Sequence, residues 1–210
     1  NEEPVDKAGA LIAEGAAVRI RGEDHPYVSR GGVKLKGALD AFGIRVGALT
    51  ALDVGASTGG FTDCLLQEGA RKVYAVDVGY GQIAWKLRND PRVVLFERTN
   101  IRHFQGVGVE EAVDIATIDT SFISLRHVVP PTLRFVREGG IILALVKPQF
   151  EVGKGEVGKK GVVRDPAVHG RVVEDLVAFF AELGLSVRGT CESPITGPEG
   201  NREFFIYAVK

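Results

Sequence analysis

The chain contains no methionine and only two cysteines, and its net charge is −1 across 210 residues. Each shortage excludes something. Cys64 and Cys191 make neither a disulfide framework nor a metal-binding spacing, so both are read as buried, reduced thiols. The four histidines, His25, His103, His127 and His169, show no metal-ligand spacing, and no metal is expected. No apolar run approaches the roughly 18–20 residues that span a bilayer, and no signal peptide pattern is visible. A cytoplasmic chain with no membrane partner is therefore expected. In the absence of methionine the first residue is Asn1, which is not expected to be a translation start. Internal repeats and low-complexity tracts are also missing. A hydrophobic content of 45% and a charged content of 25% suit one sizeable globular domain.

The small net charge hides an asymmetry. Residues 19–36 hold Arg19, Arg21, Arg30, Lys34 and Lys36 against Glu23 and Asp24. Residues 147–164 hold Lys147, Lys154, Lys159, Lys160 and Arg164 against Glu151 and Glu156. The rest of the chain carries 16 basic and 23 acidic residues. One basic face on an otherwise acidic protein suits phosphate-backbone binding; two solvated loops far apart would have the same composition.

The most informative segment runs from Thr50 to Phe61. A short apolar run ends in Asp53, and the glycine-rich turn Gly55-Ala56-Ser57-Thr58-Gly59-Gly60 leads into an apparent helix. Strand, glycine turn and helix form the nucleotide site of doubly wound α/β folds, although such turns also occur without a ligand. Lys72 to Val76 reads as the next strand and ends at Asp77, 24 positions after Asp53. That spacing suits a carboxylate gripping ribose hydroxyls, but does not separate a nicotinamide cofactor from S-adenosylmethionine. The Asp-X-Gly-X-X-X-Gly-Gly pattern is closer to the first motif of methyltransferases than to the Gly-X-Gly-X-X-Gly of dehydrogenases.

Periodicity predicts a helix from Ser29, as N-cap, to about Ala41, with Gly43 as its stop. Strands are predicted at about 51–54, 73–77, 93–96, 114–118, 140–146, 185–192 and 203–209, and helices at about 59–69, 80–88, 125–137 and 166–183. This alternation implies a Rossmann-like, mostly parallel seven-stranded sheet with an antiparallel last strand. Residues 1–27 look irregular. Pro148 to Asp165 is a long Gly- and Lys-rich insertion at the carboxyl edge of the sheet, where ligands bind in this architecture.

Lys34, Asp119, Lys147 and Glu203 should converge on that edge. Buried strand-end charges are costly unless paired or used. The segments Tyr27-Val28-Ser29-Arg30-Gly31-Gly32-Val33-Lys34-Leu35, the Asp53 turn, Asp119-Thr120-Ser121-Phe122, Lys147-Pro148-Gln149-Phe150 and Asn201-Arg202-Glu203-Phe204 together resemble the TlyA/hemolysin A family, ribosomal RNA methyltransferases with an FtsJ-like domain. The resemblance covers about residues 27–209, with the motifs in order.

It implies ribose 2′-O-methylation with S-adenosyl-L-methionine, ribosomal RNA or ribosomal subunits as partner, and a Lys-Asp-Lys-Glu tetrad at Lys34, Asp119, Lys147 and Glu203. It also implies that residues 1–27 are the linker and tail of a missing N-terminal RNA-binding module, and that residues 28–210 form the methyltransferase domain. Lys147 is expected to act as base toward the ribose hydroxyl, with burial and the nearby Lys34 amine favouring loss of its proton; Asp119 and Glu203 oppose that loss and are expected to orient the amines and balance their charge. Asp53, Gly55, Ser57, Gly59, Gly60 and Phe61 are expected around the methionine part of the cofactor. Asp77 is expected at its ribose, Asn100 near the adenine, and Asp119 at the methionine end. Arg30, Lys36, Lys154, Lys159, Lys160 and Arg164 are expected to contact RNA. A membrane-active hemolysin, a small-molecule methyltransferase and a non-catalytic RNA-binding module are the competing readings.

Overall fold

The computed structural model describes residues 12–17, 25–158 and 161–210. Helix α1 (Arg30–Phe42) follows Ser29, which is extended as an N-cap should be, but its hydroxyl makes no capping bond. Gly43 ends the helix in the left-handed region, its amide returning to the carbonyls of Leu39 and Asp40. The elements that follow are β1 (Thr50–Val54), α2 (Gly60–Gln67), β2 (Lys72–Val76), α3 (Trp85–Arg88) and β3 (Val93–Phe96). Then come β4 (Val113–Ile118), α4 (Leu125–Leu133), β5 (Val136–Val146), α5 (Pro166–Glu182), β6 (Ser186–Glu192) and β7 (Phe204–Val209).

The strands form one seven-stranded sheet in the order β3-β2-β1-β4-β5-β7-β6. Strands β1 to β5 pair in parallel, and β7 runs antiparallel between β5 and β6. The expected sheet is therefore present. Chain order reverses between β1 and β4, which makes their carboxyl ends the switch point where such folds bind ligands. Alternation along β1 assigns its two faces. Leu52 and Val54 join the core with Val128, Leu176 and Phe180, whereas Ala51 packs with Leu35, Leu39, Phe61 and Leu65. Asp53 shares the Ala51 face, beneath α2.

Two helices are shorter than their periodicity suggests. The one expected over 80–88 is helical only from Trp85. Before it, Gly81 adopts φ +70°, and its amide goes to Glu97 Oε1 at 2.6 Å. The helix expected over 125–137 ends at Leu133, and Pro130 and Pro131 inside it donate no N–H to the preceding turn. The chain enters β5 at once, with Val136 paired to Val113. Cys64 is buried as expected, and Cys191 only partly so.

Candidate functional site

Two clefts meet at the switch point. One, of about 440 Å³, is lined by Arg30, Lys34, Gly55, Ser57, Phe61 and Asp119, among others. The other, of about 490 Å³, is lined by Gly55, Ser57, Asp77, Asn100, Asp119 and Thr120, with apolar walls from Ile101, Ile123 and Val128. Gly55, Ser57 and Asp119 border both.

The turn is shaped by specific residues. Gly55 has φ +89°, and a Cβ there would lie 2.3 Å from the Asp119 carbonyl oxygen, so only glycine fits. Ser57 is also left-handed, at φ 50°, and its amide donates to Asp77 Oδ2 at 2.7 Å. The Gly79 amide donates to Asp77 Oδ1 at 2.6 Å, so the carboxylate is fixed at the mouth of the second cleft. Gly59 and Gly60 allow close packing, since added Cβ atoms would meet Leu87 Cδ1 at 2.2 Å and Ser29 Oγ at 2.3 Å, and Gly60 also lines the first cleft. Phe61 stacks on Phe205 with ring centroids 6.1 Å apart.

Asp53 departs from the expected direct grip on the cofactor. It has no solvent exposure and lines neither cleft. Thr62 Oγ1 donates to its Oδ2 at 2.6 Å, and Thr117 Oγ1 lies 3.4 Å from Oδ1. Burial pushes its carboxyl up to about 7, and the nearby Asp119 charge acts the same way against the Thr62 and Thr117 hydrogen bonds. Asp53 therefore supports the turn from below.

The tetrad forms two close pairs. Lys34 Nζ lies 2.5 Å from Glu203 Oε2, with both residues buried. Lys147 Nζ lies 2.5 Å from Asp119 Oδ1, but off the line of a hydrogen bond; its directed bond goes to Ser121 Oγ at 3.0 Å. Each amine thus has its own carboxylate. Lys34 and Asp119 line the first cleft, so each pair reaches it through one member; Lys147 and Glu203 lie behind them and line neither cleft.

The expected RNA contacts divide. Arg30 lines the first cleft and donates to the Thr196 carbonyl at 2.6 Å. Arg164 is exposed. Lys36 is turned to Asp40 and Glu68, at 2.5 and 3.7 Å, and lines neither cleft. Lys159 and Lys160 lie outside the described residues, as do Arg19 and Arg21. Lys154 begins a short 3-10 turn, Lys154–Glu156.

Sequence reasoning missed Ser121, Thr120 and Phe122, although it quoted their motif. Phe122 is 90% exposed at φ 63°, borders the second cleft, and packs on Phe150 with centroids 5.0 Å apart. An exposed, backbone-strained aromatic is a functional signal, but it is visible only in three dimensions.

The residues of the second cleft fit an adenosine-bearing cofactor. Its carboxylate, amide side chain and apolar walls match a ribose diol and a flat base, and Thr120 Oγ1 is buried there without a partner. A switch point of this kind serves dehydrogenases and methyltransferases alike. The solved O-methyltransferase of Bacillus cereus superimposes with a TM-score of 0.58 at 22% identity, over 87% of this chain and 82% of that one. The fold is that of the Rossmann-like methyltransferases.

The family is narrower than the fold. A family model described as FtsJ-like methyltransferase matches residues 27–210, and the chain belongs to that family. It is 47% identical over 205 residues to the 16S/23S rRNA (cytidine-2′-O)-methyltransferase TlyA of Mycobacterium tuberculosis, covering 97% of this chain and 76% of that protein. A solved Streptococcus thermophilus protein that bears a hemolysin name superimposes with a TM-score of 0.87 at 47% identity, over 90% of this chain and 69% of that one.

Proposed function

We propose that the chain methylates a ribose 2′-hydroxyl of ribosomal RNA, using S-adenosylmethionine. The observation that carries this reading is the meeting of two amine–carboxylate pairs at the junction of two clefts, one suited to the cofactor and one open beside Arg30. In this reading Asp77 holds the cofactor ribose, Asn100 lies on the adenine side, and Gly55, Ser57 and Asp119 flank the methionine part. Bound there, the cofactor supplies an electrophilic methyl group on a sulfonium. The protein's work is placement of the hydroxyl and handling of its proton.

Lys147 Nζ, entering as the neutral amine, takes this proton and becomes the ammonium as the oxygen gains its methyl group. Ser121 and Asp119 aim it. Lys34, held by Glu203, places positive charge beside the developing oxyanion. Arg30, Lys154, Lys159, Lys160 and Arg164 meet RNA phosphates, while Lys36, engaged on α1 and α2, does not. The exposed Phe122 ring suits stacking on a base. Residues 28–210 act as the methyltransferase domain, with residues 1–27 as a linker. For the membrane-active alternative, no helix among the described residues is long and apolar enough to cross a membrane.

The test is methyl incorporation from labelled cofactor into ribosomal subunits and free RNA. Lys147→Ala should lose at least about 100-fold in rate with cofactor binding intact. Lys147→Arg supplies a guanidinium that cannot take a proton, so it should be equally inactive. Near-wild-type transfer by either variant overturns the base assignment.

A further inference from the structure

The segment that leaves Lys147 is anchored at both ends. Near its start, Glu151 accepts from Ser124 Oγ at 2.6 Å and from the Leu125 amide at 2.8 Å, fixing it to the first turn of α4. Near its end, Val162 and Val163 are buried, and the Val163 carbonyl lies 2.8 Å from His169 Nε2 on α5. The remaining partner there comes from beyond β6. Asn201, 6% exposed, accepts from the Val163 amide through Oδ1 at 3.2 Å and donates through Nδ2 to the Gly161 carbonyl at 3.2 Å. One side-chain amide thus meets two backbone groups of the same loop.

The same residue borders the catalytic pair from the other side. Asn201 is two positions before Glu203, and its carbonyl accepts from the Gly197 amide at 2.8 Å. Gly197 lies directly against the Glu203 carboxylate: a Cβ there would sit 2.8 Å from Oε1. The adjoining turn carries Thr196, whose carbonyl holds Arg30, and Pro198, which lines the first cleft. His169 makes a second link between this loop and the start of β7, its ring packing on Phe204 with centroids 5.7 Å apart.

We infer that Asn201 is a positioning residue: its side-chain amide ties the basic loop of residues 151–163 to the turn that seats Glu203, so that loop placement and the Lys34–Glu203 pair are set together. The inference rests on the methyltransferase reading above. It assigns Asn201 no contact with substrate or cofactor. Its effect should appear in turnover and in loop protection, and not in cofactor affinity.

The experiment compares wild type, Asn201→Ala, Asn201→Asp and His169→Ala. It measures trypsin cleavage after Lys154, Lys159 and Lys160, cofactor affinity by calorimetry, and kcat against KM for methyl transfer. Losing both amide bonds should speed loop cleavage roughly tenfold or more. It should lower kcat about 10- to 100-fold, with cofactor affinity unchanged. Asn201→Asp keeps the acceptor for Val163 but sets an oxygen against the Gly161 carbonyl, so it should not rescue turnover. His169→Ala removes the Val163 carbonyl contact and a ring packed on Phe204 at the start of β7, centroids 5.7 Å apart, while leaving both Asn201 bonds in place; it should shift both readouts the same way and carries the test should Asn201→Ala fail to fold. Unchanged cleavage, or a kcat loss in Asn201→Ala without faster cleavage, overturns the coupling. A wild type that transfers no methyl refutes the underlying reading and the coupling with it. An active wild type with unchanged variants refutes the coupling alone.

Discussion

Removing the Glu203 charge should expose how much the buried pair matters to the fold and how much to the chemistry. Glu203 is 2% exposed and Lys34 7%, with their charged atoms 2.5 Å apart. Glu203→Gln keeps the shape and leaves the Lys34 ammonium buried without its counter-charge. Breaking one partner of such a pair costs about 3–5 kcal/mol, because the remaining charge loses both water and partner. For a chain of this size that corresponds to a melting-temperature drop of about 6–20 °C. The double variant Lys34→Met/Glu203→Leu removes both charges and fills a similar volume, so most of the lost stability should return. Activity should not return, since the site then lacks a cation beside the reacting hydroxyl. Thermal melts with denaturant titration give the stability, and labelled methyl transfer gives the activity. A double variant that melts as low as Glu203→Gln would refute the pair energetics. A double variant that methylates normally would refute its catalytic placement.

Asp53 predicts a pH dependence. Its folded value is raised to about 7 from 3.8, so the folded state holds a proton that the unfolded chain has released between those limits. Its contribution is fully present below about pH 4 and is lost as pH rises through about 7, a span worth on the order of 4 kcal/mol. Asp53→Asn, which keeps an acceptor for Thr62, should therefore lose this slope and exceed wild type in stability above pH 7; parallel stability–pH curves would contradict the assignment. Asp77→Ala removes the acceptor of the Ser57 and Gly79 amides and should raise the cofactor Kd at least tenfold, roughly the worth of a charge-assisted contact, as read by calorimetry. Replacing Lys154, Lys159 and Lys160 together by Ala should weaken RNA binding and flatten its salt dependence, each lost phosphate contact reducing the slope by about 0.7–0.9. Unchanged affinity would show that these lysines are only solvated.

What was legible in the chain was what local pattern determines. The apolar run Ala51–Val54 and its glycine turn specify β1 and the entry to α2, and strand–helix alternation specifies the sheet. Lys34, Asp119, Lys147 and Glu203 were legible as a set, because charges at the ends of buried strands need partners. The partner of each was not: Lys147 meets Asp119 because β4 and β5 lie side by side, and Lys34 meets Glu203 because β7 is inserted between β5 and β6. Asp53 reads as a cofactor ligand from its motif, yet the alternation of β1 turns its side chain beneath α2 to Thr62. Gly59 and Gly60 also permit close packing against Leu87 and Ser29, an approach that composition does not display, while Gly60 lines the first cleft. Asn201 gave no signal beyond its place beside Glu203, because its partners lie 38 and 40 positions away.

The central claim is that this site places a methyl group on a ribose oxygen under the control of Lys147. Ribosomal RNA treated with labelled cofactor and the protein, then digested to nucleosides and separated by mass, identifies the modified atom. The account predicts 2′-O-methylated nucleoside with wild type and none with Lys147→Ala, although that variant still binds cofactor. Label on a base, or equal ribose methylation by Lys147→Ala, would contradict it.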